Sequence, residues 1–148
     1  MTQPTLTRHV FVSHSTDDED VANAVVEALE TSHFRCWIAP RNIAPGQSWM
    51  GAIVKGIVES GLMVVLVSRS SVRSKNVLRE MTIADDEQVP LIPYHLEQCA
   101  LSDDFRFFLS VPQRLQAYEH SSLAALQLLR EAVAASVSTQ LEAAPGDA

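Results

Sequence analysis

Glu80, Ser13, His14, Trp37, Arg41 and Ser68 are the residues whose types and places along the chain could do chemistry. Glu80 lies in a segment where Val77, Leu78, Met81 and Ala84 recur at helical spacing. At about 100° per residue it falls roughly a quarter-turn from the centre of that apolar stripe. A carboxylate at such a border either leans into a cleft or sits solvated on the helix flank, paired with Arg73. Ser13 and His14 close the first β-rich run and read as strand-end caps or as cleft residues. Ser68 ends the most apolar run of the chain and is a candidate cleft residue. Trp37 reads as core or as a pocket wall. Arg41, in a loop held between Pro40 and Pro45, suits a phosphate, a self-contact or plain solvation. Trp49, opening a helix, reads as packing, and Cys36 and Cys99 as small buried hydrophobes.

Other chemistries lack their residues. None of the five glycines forms a GxGxxG or Walker-type loop, so the backbone cradles usual for dinucleotides and nucleotides are missing. No GxSxG elbow marks a serine hydrolase. The five histidines show no metal spacing; His9 and His14 are a poor bidentate pair along a strand, and no metal ligand set is expected. A phosphoacceptor receiver would end its central strand in aspartate, where this chain has Ser68.

Composition narrows the partners. The net charge of -7, with basic residues dispersed, would repel a phosphate backbone, so nucleic acid is not an expected partner. The longest apolar run, Leu62 to Val67, is far short of the roughly 20 residues that span a bilayer. The first residues, Met-Thr-Gln-Pro-Thr-Leu-Thr-Arg, lack a secretion signal, and the two cysteines form no disulfide framework. The expected address is the cytoplasm, with no membrane contact.

The elements that must position these residues alternate between short β-rich runs and amphipathic helices, the pattern of a parallel sheet covered on both faces. Strands are expected at His9–Ser13, Arg35–Ile38, Leu62–Ser68, Val89–Tyr94 and Arg114–Ala117. Leu62–Ser68 is apolar on both faces and therefore central. Thr16 to Glu19 fits a capping box before a helix carrying Val21, Ala24, Val25, Ala28 and Leu29 on one stripe. Ser48 caps a second helix with Met50, Ile53, Val54 and Ile57 on one face. A third helix starts near Ser74, a short one covers Asp103 to Leu109, and Leu123, Leu126, Leu129 and Val133 mark the last. Right-handed crossovers give a doubly wound sheet, with ligands at the strands' carboxyl ends.

Four segments, in their order and spacing, resemble the bacterial branch of the TIR (Toll/interleukin-1 receptor) domain family. They are Phe11-Val-Ser-His14, Cys36-Trp-Ile-Ala-Pro-Arg41 with Gly46 downstream, Val77-Leu-Arg-Glu80 and Val89-Pro-Leu-Ile-Pro93. The resemblance implies a flavodoxin-like five-stranded parallel sheet with helices on both faces. It implies a TIR domain over residues 1–138, with 139–148 as a flexible tail or linker to an absent domain, such as a C-terminal sensor. Many similar proteins cleave NAD⁺ at the nicotinamide–ribose bond in bacterial immune defence, whereas others are non-catalytic adaptors or decoys acting through TIR–TIR contacts.

By the same resemblance Glu80 is the catalytic carboxylate, and Ser13, His14, Trp37, Arg41 and Ser68 are substrate-binding candidates. NAD⁺ would be the substrate, no cofactor would be needed, and other TIR domains would be partners in a homo-oligomer or filament. Two positions depart from the family pattern. Asn76 stands where many relatives have an aromatic, and Ala39 where many have an acidic residue. The reaction needs little from the protein. Breaking the glycosidic bond leaves a ribosyl cation and a neutral nicotinamide, so one carboxylate suffices and no general acid is required.

Overall fold

A computed structural model describes residues 8–111 and 113–143, the last five by their backbone alone. Five strands, β1 (His9–Ser13), β2 (Cys36–Trp37), β3 (Ser60–Val67), β4 (Leu91–His95) and β5 (Leu115–Gln116), form one sheet in the order β2-β1-β3-β4-β5. Every pairing is parallel. β3 is central, as its two-sided apolar character requires. Leu62, Val64 and Leu66 face one core and Met63, Val65 and Val67 the other, all at most 1% exposed. Helices α1 (Glu19–Thr31) and α5 (Ser122–Ala143) cover the first face. Helices α2 (Trp49–Val58), α3 (Lys75–Asp86) and α4 (Asp103–Leu109) cover the second. The chain leaves β1 towards β2 and returns on the other side as β3. Their carboxyl ends therefore diverge into the crevice where doubly wound sheets hold ligands.

Serine side chains start four of the helices. Ser48, Ser74, Ser102 and Ser121 accept from the backbone N–H three residues on, at 3.3, 3.1, 3.3 and 3.2 Å. The capping box expected at Thr16–Glu19 is not formed. Thr16–Asp18 is instead a 3-10 turn whose carboxylates reach across the top of the sheet. Asp18 accepts from Ser15 and Ser68, and Asp17 from Ser70.

Three helices sit rotated from the stripes read in the sequence. In α2 the buried face is Ala52, Gly56 and Ile57, while Met50 and Val54 are 77% and 42% exposed. The cause is Trp37, which stacks on Phe11 at 5.0 Å and presses on the next layer. A Cβ added to Gly56 would lie 2.7 Å from the indole, so only a small residue admits this approach. The large residues of α2 turn outward. Likewise Val21 and Ala24 of α1 face an open hollow, and Leu123 of α5 is exposed while Ala125, Ala132 and Val137 are buried with Leu129 and Val133. The domain boundary expected at residue 138 falls inside α5, and of the expected tail residues 144–148 lie outside those described. Among the described residues no helix is long and apolar enough to cross a membrane.

Candidate functional site

Strand alternation decides which β1 side chains meet α3. Val10 and Val12 enter the α1/α5 core, so Phe11 and Ser13 point to the other face. Ser13 thus places a hydroxyl, 1% exposed, in a layer that is otherwise apolar. Ser74 fixes the start of α3, and its second turn carries Glu80 over the end of β1. The Ser13 Oγ–H donates to Glu80 Oε1 at 2.6 Å, a contact between residues 67 apart in sequence. Glu80 is half-buried, and no cation pairs with its carboxylate among the salt bridges of the described residues.

That setting changes the acid strength of Glu80. Burial away from water disfavours the charged form and pushes the carboxyl up to about 7, while the Ser13 hydrogen bond pulls the other way. A carboxylic acid poised near neutrality at a strand end is the arrangement that functional sites build and exposed helix flanks do not. His14, the next residue after Ser13, also borders the site. Its burial lowers its pKa, against smaller opposing effects from the Val12 backbone, Glu19 and Asp18. At neutral pH it offers an uncharged imidazole.

Glu80 lines two adjoining hollows. One, of about 240 Å³, is bounded by His14, Glu19, Pro40, Trp49 and Asn76 among others. The second, of about 150 Å³, runs along α2 and α3 between Met50, Val54, Arg79 and Ile83. Trp49, Ile53, Asn76 and Glu80 border both. Sites that enclose a drug-sized ligand measure about 300–1,000 Å³. The larger of these two falls short of that range, so it encloses only part of a ligand of that size. No lysine or arginine lines it, so a pyrophosphate has no counter-charge there.

The structure brings Ser13, His14 and Glu80 together and leaves Trp37, Arg41 and Ser68 out of this cleft. Trp37 is 9% exposed and spent on the Phe11 stack and the contact with Gly56. Arg41 reaches back to α1, where its two terminal nitrogens meet the Glu30 carboxylate at 3.0 and 2.8 Å and one also donates to the Cys36 carbonyl. Ser68 donates to Asp18 at 2.5 Å and exchanges hydrogen bonds with Ser71, tying β3 to the start of α1. Sequence reasoning missed Trp49, which is 53% exposed in the cleft rather than packed, and the roles of Asn76, Ile53 and Glu19 as walls. The one available signal was that Trp49 follows directly on the Ser48 cap. Among the described residues, no cluster of His, Cys, Asp or Glu is placed to hold a metal ion. Burial pushes the Cys36 thiol up to about 12, which leaves it inert as a nucleophile.

This geometry can be set beside known proteins. A family model described as TIR domain matches residues 10–130. The Stimulator of interferon genes protein of Magallana gigas is 29% identical over 80 residues, covering 53% of this chain and 19% of that protein. The match thus takes in about a fifth of that relative's length. The TIR domains of the activated Roq1 resistosome, which directly recognises the pathogen effector XopQ, superpose with a TM-score of 0.70 at 16% identity. They cover 86% of this chain and 99% of theirs. A CMP N-glycosidase of Clostridium botulinum superposes with a TM-score of 0.57 at 14% identity, over 82% of this chain and 98% of its own. Both structural likenesses are of fold alone. With the five-stranded parallel sheet, they agree with the family match: the chain belongs to the TIR domain family.

Proposed function

We propose that this TIR domain is an NAD⁺ glycohydrolase whose catalytic group is the Glu80 carboxylate. The observation that carries the reading is Glu80 itself. It is half-buried, hydrogen-bonded by Ser13, raised to about 7 and open to the larger of the two hollows. A pyridinium cation entering the hollow favours ionised Glu80, so binding NAD⁺ releases a proton from the carboxyl. As the C1′–N bond breaks, its electron pair leaves with nicotinamide, which departs neutral. The carboxylate then faces the ribosyl cation in a site where little water competes. Water captures the cation and loses a proton, giving ADP-ribose; capture by a nitrogen of the same molecule gives a cyclic variant. No cofactor takes part in this scheme.

The small volume of the hollow supports self-association as the activating step. Part of NAD⁺ lies beyond it, where a second TIR domain can complete the contact. The activating partner would be a sensor domain in a longer cytoplasmic protein, in keeping with immune defence, and the greater length of the Magallana gigas relative supports such an arrangement. A second reading, a non-catalytic adaptor or decoy, draws on the exposed apolar face of Trp49, Met50 and Val54, which suits a protein contact. Incubating concentrated protein with NAD⁺ and resolving the products separates the two. Nicotinamide released with ADP-ribose or a cyclic form supports the enzyme. No release from domains tethered into an assembly overturns it in favour of the adaptor.

A further inference from the structure

Trp49 holds an indole half open to solvent at the mouth of the cleft, and its place is specific. Trp49 is the first residue of α2, held there by the Ser48 cap, and borders both hollows that flank Glu80. It shares that border with Ile53, one turn on, and faces across to Asn76 and Glu80 on α3. The other tryptophan, Trp37, is stacked on Phe11 and buried. The cleft thus has one wall with an aromatic face and one with a carboxylate, and no cation of its own lines the 240 Å³ hollow.

We propose that Trp49 is a specificity-determining residue, stacking a flat cationic heteroaromatic ring of the pyridinium class against the Glu80 side of the cleft. The inference rests on the glycohydrolase reading and names how the ring is chosen. Indole is the best of the aromatic side chains at attracting a cation to its face. A flat ring adds offset stacking over the indole to the attraction of its charge. A neutral nicotinamide product loses the cationic part of the attraction, which favours its release once the bond is broken.

The test uses 1-methylnicotinamide, a pyridinium with no scissile bond, and reads tryptophan emission. Quenching in the wild-type protein should contain a saturable component, and calorimetric binding of 1-methylnicotinamide should weaken about tenfold in Trp49→Leu and less in Trp49→Tyr. Neutral nicotinamide should bind about tenfold more weakly. In turnover assays Trp49→Leu should raise KM for NAD⁺ about tenfold, with kcat changed far less and with the melting temperature unmoved, since the side chain is exposed. Quenching that is only linear in the wild type overturns the proposal, as does calorimetric binding that is unchanged in Trp49→Leu. NAD⁺ cleavage with KM unchanged in Trp49→Leu leaves the glycohydrolase standing and removes the stacking role. Saturable, Trp49-dependent binding without any cleavage from domains tethered into an assembly supports the stacking role and removes the glycohydrolase.

Discussion

Two hollows open near the carboxyl ends of the strands, one on each face of the sheet, and the larger has the weaker claim to chemistry. The hollow on the α1/α5 face measures about 440 Å³ and is walled by Tyr94, Tyr118, His120 and Asp20. Its Asp20 and His120 are exposed, and burial pushes the Tyr94 phenol upward. The hollow on the α2/α3 face is about half that size, yet it contains a carboxyl moved from 4.5 to about 7. Volume measures room for a ligand. A reactive group needs an ionisable atom withdrawn from water and held by a donor, and only the smaller hollow combines these. The difference traces to one strand, since β1 sends valines to one face and Ser13 to the other.

The sharpest way to break this comparison is Glu80→Gln. The substitution keeps shape and helix preference while removing the charge that the proposed reaction sets against the ribosyl cation. NAD⁺ turnover should fall on the order of 10²–10³-fold or more. Turnover near the wild-type level, measured with circular dichroism on the same preparation, would return Glu80 to the status of a flank residue.

The second prediction concerns stability and its sign. A carboxyl whose folded pKa lies above its unfolded value binds its proton more tightly in the folded state. Its contribution is therefore fully present below about pH 4.5 and lost as pH rises to about 7. The rise from 4.5 to about 7 is equivalent to about 3 kcal/mol. Urea melts across that window should show the wild type losing stability relative to Glu80→Gln. In the same window kcat/KM for NAD⁺ should climb, because the proposed reaction uses the ionised carboxylate. Parallel stability curves for the two proteins would contradict the burial of this group.

Ser13→Ala should act more mildly, lowering kcat/KM about tenfold, the scale of a lost hydrogen bond to a charged group. It also removes the one influence that holds the Glu80 pKa down, so the midpoint of the pH–activity profile should move upward. A rate loss without that movement would make Ser13 a packing residue. The smallest effect belongs to the other hollow. Tyr118→Phe should leave the pH midpoint where it is, because Tyr118 does not border the Glu80 cleft. A displaced midpoint there would mean that the two hollows are coupled through the sheet.

Parts of this site were legible in one dimension. Glu80 stood at the edge of an apolar stripe, and a stripe edge on a helix laid over a sheet is where a side chain can reach a strand end. Ser13 was legible as the last residue of a strand. Trp37, Arg41 and Ser68 were not, because each had a suitable type and position but a partner elsewhere that sequence cannot rank. Trp37 found Phe11 and Gly56, Arg41 found Glu30 on α1, and Ser68 found Asp18. Trp49 failed the opposite way. Its helix carries small residues, Ala52 and Gly56, on the face that Trp37 presses, and that contact rotates the bulky residues outward.

The order of strands and helices, the central place of β3, the serine caps and the border position of Glu80 follow from local rules. Periodicity, capping and two-sided apolarity are properties of consecutive residues, and they act wherever the chain lies. The acidity of Glu80, its hydroxyl partner and the depth and walls of its cleft belong to the tertiary structure alone. A pKa depends on what surrounds a carboxyl at a few ångströms, and here those surroundings come from β1, α2 and α3, segments joined only by the closing of the sheet.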